Sequence, residues 1–259
     1  MTKKLILSLR RHALPEQDRI GRSLDRLAQG ADAQIAEAAK GIVVPDGGLY
    51  AYASQTERAY QTAYRLLQKL CAASTDVQRD EFLDPISWSD HSIVTALKQA
   101  GGPDDFDLEK FVDYVINRPV EGKAWRQAFA GSRYFGLAKA DEFLMAAGRR
   151  AVNHIAKAFS EIAKQQPDGT KAYCESISHS LVIDSALREL YWDGGERKLV
   201  DSIADLGGPF SAMGNLIVTV EYENGGIPNA LPIIKRGDLE FEANNLAGLM
   251  LQYSGKAAK

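Results

Sequence analysis

The sequence contains no apolar run approaching the roughly 20 residues that a membrane-spanning helix requires, so no transmembrane segment and no membrane partner are expected. Cysteine is scarce. The only two, Cys71 and Cys174, form no Cys-x-x-Cys pair and stand at no metal-ligand spacing from a histidine. A disulfide framework and a zinc site of ordinary spacing are thereby excluded. Both cysteines read as small buried thiols suited to a reducing cytoplasm. An excess of one charge is missing as well: 31 Lys and Arg stand against 34 Asp and Glu, for a net charge of -3. That balance gives no overall attraction to nucleic acid or to an anionic surface, so any anion site must be a local cluster. The opening MTKKLILSLRRH offers too short an apolar stretch for a secretory leader and runs straight into Arg10 and Arg11. No internal repeat stands out, and the polar tail SGKAAK is the one low-complexity tract.

What is present suits a single α/β domain over residues 1–259, long enough to bury a substantial core. KLILSL at 4–9 reads as a buried first strand, too short for a helix and ended by charge. SLDRLAQGADAQIAEAAKGI predicts a helix with Ser23 as its N-cap and Gly41 as its stop. LYAYAS at 49–54 predicts a second strand, QTERAYQTAYRLLQKLCAA an amphipathic helix directly after it, and DVQRDEFLD a short third strand. From about 84 to 138 the pattern is punctuated by Gly, Pro and Asp, as in QAGGPDDFD and NRPVEGKAW, and predicts a mostly helical cap inserted over one end of a sheet. A long helix is expected from Asp141 to Gln166, then a PDG turn, the strand KAYCESIS, and a helix beginning at His179. GNLIVTVEYENGGIPNALPIIKR predicts two strands around an Asn-Gly-Gly turn. Strands alternating with helices imply a three-layer α/β/α sandwich, and ligands bind at the strand ends of such sheets.

Four strand ends carry side chains suited to a phosphate: Arg11 and His12 after the first strand, Arg58 after the second, Glu81 near the third, and His179 after the fourth. Any one of them has an ordinary reading as a solvated strand end; their common position at strand-to-helix junctions sets them apart. His179, at a helix start, would share the free backbone N–H groups there with an anion. His91, in SWSDHS, reads as an exposed loop residue with substrate contact as the alternative, and His154 reads as a packed or half-exposed helix histidine. Arg118, Lys123, Arg126 and Arg133 make the insertion basic, which reads as scattered surface charge or as a hold on an anionic substrate tail. Trp88, Trp125, Phe129 and Phe135 would form a small core beneath it.

The order of these motifs resembles the histidine phosphatase superfamily, the phosphoglycerate-mutase-like enzymes. The family's opening Arg-His-Gly is matched by Arg11-His12-Ala13. Its following leucine-threonine, glycine and glutamine-alanine helix is echoed by SLDRLAQGADAQ. Its Ser-x-x-x-Arg-Ala-x-x-Thr-Ala signature is present in full as SQTERAYQTA, Ser54 to Ala63, and its late Ser-His-Gly is matched by Ser178-His179-Ser180. The resemblance runs with gaps from Lys4 to about Arg236, and the Ser54–Ala63 block is its most specific part. Ala13 and Ser180 stand where the family has glycines, which narrows the backbone options beside a phosphate.

The resemblance implies the phosphoglycerate-mutase-like fold and a metal-independent phosphatase without cofactor, acting in the cytoplasm on a small phosphorylated metabolite through a phosphohistidine on His12. Arg11, Arg58 and His179 would bind the phosphoryl group, and Glu81 would be the proton donor, with Asp80 and Asp84 close by as competing carboxylates. Phosphoglycerate-mutase-type transfer is the alternative within enzymes. A phosphohistidine-protein phosphatase is disfavoured by the cap. A non-catalytic binder of a phosphorylated ligand is the alternative outside enzymes, supported by the two lost glycines. The oligomeric state stays open, a homodimer included.

Overall fold

Alternation along β1 (Lys3–Arg11) sets up the whole molecule. Leu5, Leu7 and Leu9 point into the main core, whereas Ser8 and Arg10 on the opposite face bond to Glu175 of a neighbouring strand. The computed structural model describes residues 1–18, 23–70, 76–85, 135–191, 206–207, 209–223 and 226–254. Among these, β1 lies at the centre of a sheet with β4 (Leu49–Ala53), β5 (Gln78–Arg79), β6 (Lys171–Ser178), β7 (Asn215–Glu223), β9 (Ile233–Arg236) and β10 (Leu239–Glu242), ordered β10-β9-β7-β1-β6-β4-β5. β8 (Ile227–Pro228) pairs with β7 at its far end. The β1-β6-β4-β5 half is parallel and the β7-β9-β10 half antiparallel.

Helices cover both faces. α3 (Phe135–Gln165), α4 (Ser180–Leu190) and α5 (Asn244–Tyr253) bury Ile155, Phe159, Val182, Leu187, Leu246 and Met250 against the leucine face of β1 and against Val218 and Tyr222. α2 (Glu57–Lys69) lays Ala59, Ala63 and Leu67 on Ala51, Ala53 and Ile177 of the other face, and α1 (Ala31–Lys40) packs Ile35 on Leu66 of α2. This is the expected α/β/α sandwich. α3 and α4 cross closely at Gly148, where a Cβ would stand 2.5 Å from the Ser185 carbonyl oxygen, so a side chain there would force the helices apart. Among the described residues no helix is long and apolar enough to cross a membrane.

The sequence-based boundaries need four corrections. Ser23 does not start a helix: Ser23–Leu27 is β3, paired with β2 (Pro15–Gln17), and α1 begins only at Ala31. Tertiary structure overrides local propensity here, because the ribbon delivers Asp25 to the free N–H groups of Glu57 and Arg58 at the start of α2. Gly41 does end α1 as expected. The long helix starts at Phe135 rather than Asp141, because Phe135–Ala140, without a proline, extends the same ladder. DVQRDEFLD forms the two-residue β5 and then a 3-10 turn, Glu81–Leu83, capped by Asp80. The C-terminal region holds β10 and α5 beyond the two strands expected. The cap lies almost wholly outside the described residues, as do Cys71, His91, Trp88, Trp125, Phe129, Arg118, Lys123, Arg126, Arg133, the Asn-Gly pair of the predicted turn and the side chain of Phe135.

A buried ion pair links β1 to β6. Arg10 donates from Nε to Glu175 Oε1 at 3.0 Å and from Nη2 to Oε2 at 3.2 Å, and Glu175 also accepts from Ser8 and Tyr173. Removing only the cation would strand the carboxylate, so Arg10→Ala is expected to lower unfolding free energy by about 3–5 kcal/mol. Urea denaturation beside an Arg10→Met, Glu175→Gln double variant, which removes both charges and should recover part of the loss, checks it.

Candidate active site

The parallel strands β1, β4 and β6 end together, and the backbone continues their pairing past the last residues: His12 N–H donates to Ser178 O and Ser54 N–H to Ile177 O. This register brings Arg11, His12, Ser54, Arg58 and His179 into one cluster, with α4 opening at His179. His12 and His179 are 5% and 7% exposed, with ring centroids 5.0 Å apart in an edge contact.

The hydrogen bonds define the state of each imidazole. Nδ1 of His12 lies 2.7 Å from the Ala13 carbonyl oxygen, which can only accept; the proton is therefore on Nδ1, and Nε2 keeps its lone pair. His179 has the opposite arrangement. Its Nδ1 accepts from Arg58 Nη2 at 3.4 Å, so Nε2 carries the proton and donates to Ser54 Oγ at 3.0 Å, with Thr56 Oγ1 at 3.3 Å. Burial, reinforced by Arg58 and Arg11, pulls the His12 imidazole down to about 4. Burial, His12 and the same arginines hold His179 well below the usual histidine range. The fixed cations of the cluster are thus Arg11 and Arg58, with His179 beside them as a neutral N–H donor.

Both arginines are oriented without being neutralised. Arg11 Nη1 donates to the Phe210 carbonyl at 2.6 Å and Arg58 Nη1 to the Leu24 carbonyl at 3.3 Å. A carbonyl partner fixes the guanidinium but leaves its full charge for an anion. The buried Nε–H of each has no hydrogen-bond partner among the described residues. Alternation places Arg10 on the opposite face of β1 from Arg11, as the sequence implied.

The Ser54–Ala63 block now has a physical reading. Ser54 holds His179, and Arg58 reaches the same ring from the first turn of α2. Ala59 and Ala63 are small enough to let that helix lie on the alanine face of β4. Thr62 bonds to the Arg58 carbonyl and accepts from the Ala13 N–H, tying the loop after His12 to the helix carrying Arg58. Neither residue that replaces a glycine occupies the left-handed region; the one described non-glycine residue there is Met213. Ala13 fills a small core with Ile35, Leu66 and Met213, and the Ser180 hydroxyl bonds to Asp184 and the Phe210 carbonyl.

Glu81 lies on the 3-10 turn after β5 and is exposed. Asp84, at the end of the same turn, is tied to the cluster: its Oδ1 accepts from Gln55 N–H at 2.6 Å, next to Ser54, and burial and the charges of Glu81 and Asp80 raise its carboxyl above the usual range. The turn is anchored by Asp80, which accepts from Phe82 N–H, from His154 Nδ1 at 3.0 Å and from Lys157 at 3.3 Å. Burial alone would push Asp80 up, but these partners hold it far below the carboxylate range. His154 is the packed histidine that its mid-helix position implied, its other nitrogen 2.8 Å from Ser176 Oγ. Cys174 is fully buried, as expected. Asp25, Thr62 and Phe210 carry no signal of their role in the sequence, because nothing local marks a residue that works across the fold; Asp25 and Thr62 lie inside motifs that the sequence shows, and Asp84 is one of the carboxylates that compete with Glu81 there.

No protein-family model matches the chain, and no curated protein does. Among solved structures, a mycobacterial hydrolase is similar with a TM-score of 0.50 at 15% identity, the match covering 99% of this chain and 98% of that one. The mycobacterial glucosyl-3-phosphoglycerate phosphatase has a TM-score of 0.49 at 16% identity, covering 85% of this chain and 92% of that one. A phosphoglycerate mutase from Bacillus anthracis has 0.45 at 13%, covering 99% and 97%. At these identities the likeness speaks to architecture alone: the chain shares the helix-covered, half-parallel α/β fold of the mycobacterial hydrolase.

Proposed function

We propose that a chain with this fold and this cluster is a metal-independent phosphatase that hydrolyses a small phosphorylated metabolite through a phosphohistidine on His12. The observation that carries the reading is the His12 Nδ1–H bond to the Ala13 carbonyl, which leaves Nε2 as a neutral nucleophile beside two arginines that bond to carbonyls rather than to carboxylates among the described residues. The Nε2 lone pair would attack phosphorus in line while the bond to the departing alcohol oxygen breaks. Arg11 and Arg58 would stabilise charge on the equatorial oxygens, which is most of what phosphoryl transfer requires. An incoming phosphate dianion would raise the pKa of His179 and allow it to protonate, adding a third donor at the start of α4. Water would then attack the phosphohistidine, releasing phosphate and restoring His12.

The leaving oxygen needs a proton, and the turn after β5 offers Glu81 and, closer to His179 through Gln55 and Ser54, Asp84. Glu81→Gln and Asp84→Asn, each assayed on an alkyl phosphate and on para-nitrophenyl phosphate, identify the donor. The variant lacking the true acid should lose about 10²–10⁴-fold on the alkyl ester and far less on the nitrophenyl ester, whose anion leaves unprotonated. The reading as a whole is tested by rapid acid-free quench of enzyme mixed with substrate: phosphate should be found by mass spectrometry on the peptide containing His12. A fully active enzyme with no phosphohistidine in the first turnover would exclude the mechanism.

A further inference from the structure

Behind Arg11 lies a second set of polar groups that the mechanism above does not use. Asp184, on α4, is completely buried. Its Oδ2 accepts from the Ser180 hydroxyl at 2.9 Å and from the Phe210 N–H at 3.4 Å, and its Oδ1 lies 3.6 Å from Arg236 Nη1 of β9. Phe210 joins this carboxyl to the phosphate cluster: its carbonyl takes the Arg11 guanidinium, its N–H reaches Asp184, and its ring lies 3.9 Å beneath the Arg236 guanidinium. The same segment is pinned from β1 by Arg10, which donates to the Met213 carbonyl, and by the Arg11 N–H, which donates to Gly214 O. Ser180 supplies a hydroxyl where a glycine would supply none, so this connection depends on one of the two residues that depart from the family's glycines.

We propose that Asp184 is a positioning residue that sets the anion affinity of the cluster by acting on Arg11, through its charge and through the Phe210 peptide. The idea rests on the phosphate-site reading above. Asp184 carries no bond to Arg11, so it can change the net charge behind the guanidinium without occupying the donors that face a ligand. Burial pushes its carboxyl up to about 7, against the pull of Ser180, Arg236, the Phe210 N–H and Arg11. Below that pH the carboxyl is neutral and the arginine charge is undiminished. Above it a carboxylate offsets part of that charge, and anion binding weakens.

Among the described residues, the charged or titratable groups around Asp184 are Arg11 of β1 and His12 just after it, Arg236 of β9, Arg58 of α2, and His179, Arg188 and Glu189 on or beside its own helix, with Arg149 of α3 against Glu189. The arginines do not titrate near neutrality. His12 and His179 are driven down by burial in the empty site, and the comparison with Asp184→Asn separates the Asp184 step from any proton that His179 takes up with the anion.

Sulfate is the probe, because it stays a dianion throughout the range whereas phosphate does not. Isothermal titration of the intact protein is expected to show affinity falling roughly three- to tenfold between about pH 6 and 8.5. Asp184→Asn should flatten that fall to within about twofold while circular dichroism shows the fold retained. Arg236→Gln keeps the carboxyl but removes a cation that lowers its pKa, so the midpoint should move to higher pH. A wild-type affinity independent of pH, or a fall that persists unchanged in Asp184→Asn, would overturn the role of Asp184 while leaving the phosphate site intact. Failure of sulfate to bind at any pH would overturn both.

Discussion

His12→Ala is expected to abolish turnover, lowering kcat by about 10⁴-fold or more, with no loss of fold. The size follows from the position of His12: among the described residues it is the imidazole of the cluster whose lone pair is both uncommitted and flanked by arginine, and the proposed covalent intermediate forms on it. Para-nitrophenyl phosphate hydrolysis in EDTA, for wild type beside the variant, measures it. Activity that survives EDTA and disappears in the variant is the expected result, and a variant with most of its activity would refute the nucleophile. The pH profile has a fixed sign. His12 must be neutral to attack, and burial pulls it down to about 4, so acid inactivation through this group should set in only as pH falls toward that value rather than near the usual 6.5. A tight-binding mimic of the transition state, vanadate, should protect the wild type from alkylation at His12.

Arg58→Ala comes next in expected effect, with kcat/KM lower by about 10²–10³-fold and vanadate affinity reduced along with it. Two functions disappear together. Arg58 is a cation of the site, and its Nη2 also fixes the tautomer and orientation of His179. Arg58→Lys separates them: the ammonium restores charge but cannot repeat the fork that bonds Leu24 O and the imidazole at once, so affinity should recover more than kcat. Asp25, by holding the N–H groups of Glu57 and Arg58, positions the same arginine from a strand that local sequence would have made a helix. Full activity in Arg58→Ala would remove the arginine from the mechanism.

Much of this site is legible in the sequence. Arg11, His12, Arg58 and His179 each follow a strand that periodicity identifies, and a parallel sheet brings the ends of such strands to one edge. Alternation alone separates Arg10 from Arg11, and its chemistry marks Gly41 as a helix stop. At Glu81 the local pattern is loosest: three carboxylates lie within DEFLD, and which of them is tied to the cluster depends on how a 3-10 turn rotates them.

Hydrophobic period is strong in β1, β4, α2, β6 and α4, so these elements, and with them the side chains that stand at strand ends, follow from the amino-acid order. The long-range bonds that give those side chains their state do not, and they arise only when the chain is folded. They are the carbonyls that orient two arginines without neutralising them, the opposed tautomers of His12 and His179, the capping of α2 by Asp25, and the burial of Asp184 behind Arg11. The reason is physical. Periodicity reports which face of an element is buried, a property summed over many residues, whereas a hydrogen bond between residues far apart in the chain depends on a few tenths of an ångström that no local pattern encodes.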